Sequence, residues 1–186
     1  VALIALHTVL VREHNRLADV LKSSDPLLSD EQIYQQARRM VGAIIQHITY
    51  NEYLPLLIGA NTIPAYAGYD ESVDPRESEL FATAAFRIGH TQLASEIKRL
   101  AADGSSLPGG SLELKDAFFT PAPIQNDGIE PFLRGLAATP MQEVDAHVID
   151  DVRNFLFGPP GSGGMDLASM NIQRGRDLGL PSYNQA

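Results

Sequence analysis

Hydrophobic positions recur at helical spacing along much of the chain. Leu3, Leu6, Leu10, Leu17 and Leu21 fall near one face of a helix and predict a first element over residues 1–22. Ser24, Asp25 and Pro26 end it, because proline disfavours helix at the residue before it. Ser29 with Gln32 three residues later has the form of a capping box. Ile33, Ala37, Met40, Ile44 and Ile48 then recur at three- or four-residue steps, so a second amphipathic helix is expected over residues 30–57, perturbed at Pro55. Residues 59–75 are rich in Gly, Pro, Asn and Asp and predict a long surface loop. A third helix is expected from Pro75 to Ala102, stopping before Asp103 and Gly104. Beyond it come a flexible turn at 105–110, irregular chain at 116–131, and short helices at 130–138 and 142–155. Residues 158–164 predict a Gly/Pro linker, and Asp166 an N-cap for a last helix ending at Gly179, before Pro181. No internal repeat and no strand pattern emerges, so the fold class expected is all-α.

Length and composition narrow the partners more than the fold. The 186 residues suffice for one ordinary domain, and 44% apolar with 20% charged residues is a globular balance. Twenty-three acidic against 14 basic residues give a formal charge of −9, which argues against a general nucleic-acid binder and an anionic membrane partner. The uncharged runs 1–11 and 54–69 fall short of the ~18 residues of a membrane span. Cysteine is absent, which excludes disulfides, thiolate catalysis, Fe–S clusters and Cys-based zinc sites. No signal peptide is visible. The chain starts at Val1 inside an apolar helical pattern, which suggests a piece excised from a longer protein.

Five histidines are present: His7, His14, His47, His90 and His147. None forms a close metal-ligand pair; His7 and His14 stand about 10 Å apart along a helix. His90 has a distinct setting, with small residues over the preceding two turns, Gly89 beside it and Arg87 three residues earlier. A glycine inside a helix costs about 1 kcal/mol relative to alanine, so a packing reason is needed. Two remain open: a close helix–helix contact, or the approach of a large flat ligand. A ligating imidazole beside a cation suits a metal-bearing cofactor with carboxylates, and haem has both iron and propionates. On the last predicted helix Leu167, Met170, Asn171 and Arg174 share a face. They read either as an ordinary amphipathic edge or as a haem partner offering apolar contact, an imidazole N–H acceptor and a second cation.

The acidic residues Asp70, Glu71, Asp74 and Glu77 read as a solvated loop, with an adventitious cation site as the second reading. The 158–164 stretch lacks the ending of a phosphate loop, and Asp145 with His147 has no nucleophile to complete a triad.

Four runs carry a family resemblance. Residues 6–18 read LHTVLVREHNRLA, residues 48–59 ITYNEYLPLLIG, residues 81–91 FATAAFRIGHT and residues 166–177 DLASMNIQRGRD. In this order, across nearly the whole chain, they resemble the animal-type haem peroxidases of the peroxidase–cyclooxygenase superfamily. The resemblance implies a mainly helical haem-peroxidase core and haem as cofactor. It makes His90 the proximal iron ligand and Asn171 the acceptor of its other ring N–H. Arg87 and Arg174 would pair with propionates, and Leu167 and Met170 would pack on the macrocycle. Hydrogen peroxide and a halide or small organic donor would be the substrates. Cyclooxygenases and fatty-acid dioxygenases of the superfamily carry a radical-forming tyrosine three residues before the proximal histidine. Arg87 stands there, which favours the peroxidase branch.

The family's distal His, distal Arg, ester-forming carboxylates and calcium loop precede the segment matched here. The resemblance therefore casts residues 1–186 as the proximal part of one haem peroxidase domain, inactive alone and liable to self-association through its apolar faces. It also implies an extracellular or periplasmic parent, and the lack of cysteine suggests a bacterial one. Two other readings stay open: a non-enzymatic adhesion or scaffold module of the same fold, and a helical domain without cofactor.

Overall fold

The computed structural model describes residues 1–185. The chain divides into two compact units, residues 6–74 and residues 1–5 with 75–186.

Residues 6–74 are built from long helices. Helix α1 spans Ala2–Ser24 and α2 spans Asp30–Ile48. The capping box at Ser29 is formed: its hydroxyl accepts the Gln32 N–H at 3.3 Å, and the Gln32 side chain accepts the Ser29 N–H at 2.9 Å. Leu21, Ile33 and Ala37 are buried together, with Leu17, Ala18 and Leu28 packed against them. After α2 the chain widens into a π turn, Thr49–Tyr53, and narrows again into α3, Leu54–Ile58. The disturbance expected at Pro55 takes this form. Proline has no N–H and its ring crowds the carbonyl four residues back; just ahead of it the Leu54 N–H bonds the Thr49 carbonyl, five residues back, so the turn is loosened and helix continues to Ile58, with Gly59 as its cap.

Residues 75–186 are made of shorter pieces. Helix α4 covers Glu79–Thr83, with the Ser78 hydroxyl accepting the Phe81 N–H at 3.1 Å. The single helix expected over 75–102 is not formed. Ala84, at φ −118° and ψ −63°, leaves α geometry, and Ala85–Gln92 winds as a 3₁₀ helix. The chain then extends into strand β1, Glu96–Ile97, antiparallel to β2, Leu112–Glu113, with Ile97 opposite Leu112. Distant partners override local helix propensity here. Arg99 Nε donates to the Gly110 carbonyl at 2.7 Å and its Nη1 pairs with Asp127 at 2.8 Å, while Arg134 Nε donates to the Leu100 carbonyl at 2.9 Å.

Helix α5, Ala122–Asp127, forms where irregular chain was expected, because its prolines sit at the N-cap and in the first turn, where no donor is needed. Helix α6, Glu130–Ala137, follows as expected and drives Phe132 into the core with Ala5, Ile97, Ala117 and Ile129. Gly135 of α6 abuts the Lys98 carbonyl so closely that a Cβ would collide with it. The helix expected over 142–155 contracts to α7, Asp150–Arg153. Upstream, Asp145 accepts the His147 N–H at 2.7 Å, a local bond that competes with helix. Last comes α8, Leu167–Asp177, capped by Asp166 and packed on α4 and α7. Among the described residues the architecture is thus mainly helical, with one small hairpin. Among the described residues no helix is long and apolar enough to cross a membrane.

Candidate functional site

Two elements build the site, the 3₁₀ helix Ala85–Gln92 and α8. Residues three apart eclipse on a 3₁₀ helix, so the tightening after Ala84 stacks Arg87 directly under His90. Arg87 is pinned one turn further back, its Nε donating to the Thr83 carbonyl at 3.3 Å. Thr83 itself is buried. His90 is half-buried. Burial of the ring, and then the Arg87 guanidinium, hold His90 below the ordinary imidazole value and favour its neutral form.

Helix α8 approaches from the other end of the sequence. Asp166 fixes its first turn by accepting the Ala168 and Ser169 N–H groups at 2.9 and 3.1 Å. Asn171, half-buried, meets the imidazole: its Nδ2 lies 2.8 Å from His90 Nδ1. With Nδ1 unprotonated the amide nitrogen donates to it. With Nδ1 protonated, the amide turned over accepts through Oδ1. Either way one ring nitrogen is engaged by an amide and Nε2 is left for another partner.

Helix geometry places the rest of the predicted set. Leu167 is half-buried on the Asn171 face of α8, while Met170, 40% exposed, and Arg174 are exposed. His90, Arg87 and Asn171 are therefore brought together through bonds and charge, and Leu167, Met170 and Arg174 only by shared spacing on one helix. Thr83 is the residue the sequence reading missed; it acts through its backbone carbonyl, which any residue four before Arg87 presents, so its identity gives no signal. Gly89 needs neither unusual backbone nor protein packing: a Cβ there would meet nothing nearer than Gln92 Oε1 at 4.0 Å. The helix–helix contact that was the alternative reading is made by α4, on which α8 packs, and not at Gly89 itself. They also contain no group of three or more His, Asp or Glu able to hold a metal ion, the 70–77 acidic loop included.

The model of the family described as animal haem peroxidase matches residues 1–186. The chain belongs to the animal haem peroxidase family. It is 43% identical over 182 residues to peroxinectin A of Dictyostelium discoideum, a match covering 98% of this chain and 33% of that protein. Human myeloperoxidase is 43% identical over 190 residues, covering 98% of this chain and 25% of the relative. Among solved structures, peroxidase A from Dictyostelium discoideum superposes with a TM-score of 0.88 at 42% identity, covering 98% of this chain and 35% of the other. The chain thus spans a quarter to a third of the length of these relatives.

A haem peroxidase chain needs a neutral, oriented imidazole for iron, and His90 fits on both counts. Its protonation is disfavoured, one ring nitrogen is held by Asn171, and the adjoining Gly89 leaves open space rather than filling it.

Proposed function

We propose that these residues form the proximal side of a haem site in a peroxidase that uses hydrogen peroxide to oxidise a halide or a small organic donor. The observation that carries the reading is the 2.8 Å contact between Asn171 and His90, two groups from motifs 81 residues apart in sequence. Haem, when bound, supplies the redox-active iron at which peroxide is reduced and the donor oxidised. The residues of this chain do the rest of the proximal work. His90 offers Nε2 to iron while Asn171, accepting the Nδ1 proton, fixes the ring's direction and raises its basicity as a ligand. Arg87, held by the Thr83 carbonyl, and Arg174 on α8 supply cations for the propionates. Leu167 and Met170 supply apolar contact. The peroxidase rather than the dioxygenase branch is supported by Arg87, since a guanidinium yields no tyrosyl-type radical.

Haem titration of the full-length protein and its His90→Ala variant, followed by absorption and donor oxidation, tests this. The variant should lose the wild-type spectrum and the activity. An unchanged spectrum would reject His90 as the ligand.

A further inference from the structure

The glycine-rich run 158–164, expected to be a linker, is instead a closed loop. Leu156 and Met165 form an antiparallel bridge at its mouth, with the Met165 N–H donating to the Leu156 carbonyl at 3.0 Å. Inside it the Pro159 carbonyl accepts both the Ser162 and the Gly164 N–H at 3.0 Å. Phe157 enters the loop at φ 69°, a left-handed value that a bulky side chain adopts only when its surroundings over-determine it.

Gly164 is the tightest point. A Cβ there would lie 2.6 Å from the carbonyl oxygens of Asn154 and Gly158, and 2.7 Å from the Pro159 carbonyl carbon. All three are backbone atoms, so no flexible side chain can swing away to make room. Two residues later stands Asp166. Besides its two backbone bonds, it accepts the Ser169 hydroxyl at 2.8 Å. The Ser169 bonds first, then the Ala168 N–H and the charge of Arg153 on α7, keep this carboxyl below its ordinary range. The end of α7, the loop and the first turn of α8 are therefore one locked piece, and Asn171 follows the cap by five residues.

We infer that Gly164 and Asp166 are positioning residues for His90: together they set the origin and direction of α8, and so where the Asn171 amide meets the imidazole. The inference rests on the reading of His90 as iron ligand. A side chain at Gly164 must push the start of α8 outward, and a displacement of about 1 Å takes the Asn171 contact outside hydrogen-bonding range. Losing the cap at Asp166 frays the same turn. In both cases the ring loses the partner that makes it a more basic ligand.

The test uses the full-length, haem-loaded, reduced protein and the iron–imidazole stretching band in resonance Raman spectra. Asn171→Ala sets the scale, moving the band to lower frequency. Gly164→Ala and Asp166→Ala should move it the same way, with far-ultraviolet circular dichroism and haem occupancy at wild-type level. Asp166→Ser, which keeps a capping oxygen, should return it towards the wild-type position. A band that stays in place in Gly164→Ala and Asp166→Ala, while Asn171→Ala moves it, overturns the inference and leaves the functional reading standing. If Gly164→Ala does not take up haem, the Asp166→Ala and Asp166→Ser pair decides alone. A band indifferent to His90→Ala overturns the functional reading, and this inference with it.

Discussion

Residues 6–74 and residues 75–186 make structure in opposite ways. The first stretch holds the long regular helices but few fully buried side chains, with Leu21, Ile33 and Ala37 forming its small cluster. The second is cut into short helices, a 3₁₀ segment and a hairpin, yet it holds Phe132, Val152, Leu156, Ile97 and the candidate site. Regularity and burial are separable. Long helices satisfy their own backbone groups locally, whereas short pieces depend on bonds from distant residues, such as those of Arg99, Arg134 and Asp151.

The contrast can be broken in order of expected effect. Phe132 is 0% exposed, so Phe132→Ala should destabilise the 75–186 region by about 3–5 kcal/mol in chemical denaturation. If it costs no more than a surface change, that core is not where stability resides. Asp151 is buried and accepts the Lys115 N–H at 2.9 Å. Asp151→Ala should cost about 1.5–3 kcal/mol in the same assay, the range of bonds to charged groups, and Asp151→Asn less because an acceptor remains. In the helical stretch, Ser29→Ala removes the capping box and should cost about 1 kcal/mol, read as reduced thermal stability. Leu27, at 92% exposure, is the control: Leu27→Ala should stay within about 0.5 kcal/mol of wild type.

A pH experiment sharpens the comparison at the site. In the chain without haem, His90 should titrate below the ordinary imidazole value by proton NMR, and Arg87→Gln should move it part of the way back. The unfolded chain binds the proton more readily than the folded one. The stability tied to His90 is therefore complete above the unfolded value of about 6.5 and is lost as pH falls from there through the folded pKa. A ring that titrates at or above the ordinary value would show that burial and Arg87 do not govern it.

Local patterns were legible wherever the chain satisfies itself. The α1 and α2 stripes, the Ser29 box, the Asp166 cap and the stop near Gly179 all follow from neighbours within four residues. Two of the departures fall where residues beyond a helical turn intervene. The expected helix over 75–102 yields after Ala84 because Leu93 to Leu100 is claimed by the hairpin and by Arg134. The expected linker at 158–164 closes because the Leu156 and Met165 backbones pair. The site divides along the same line. Motif order in the sequence was enough to nominate His90, Arg87, Asn171, Arg174, Leu167 and Met170, because the residue types carry their chemistry with them. Only the tertiary structure decided that an amide on α8 lies 2.8 Å from an imidazole 81 residues earlier, and that Gly164, pressed against the backbone of Asn154, Gly158 and Pro159, admits no side chain. Those contacts reach beyond a single helical turn, and no periodicity within one segment encodes the distance to another.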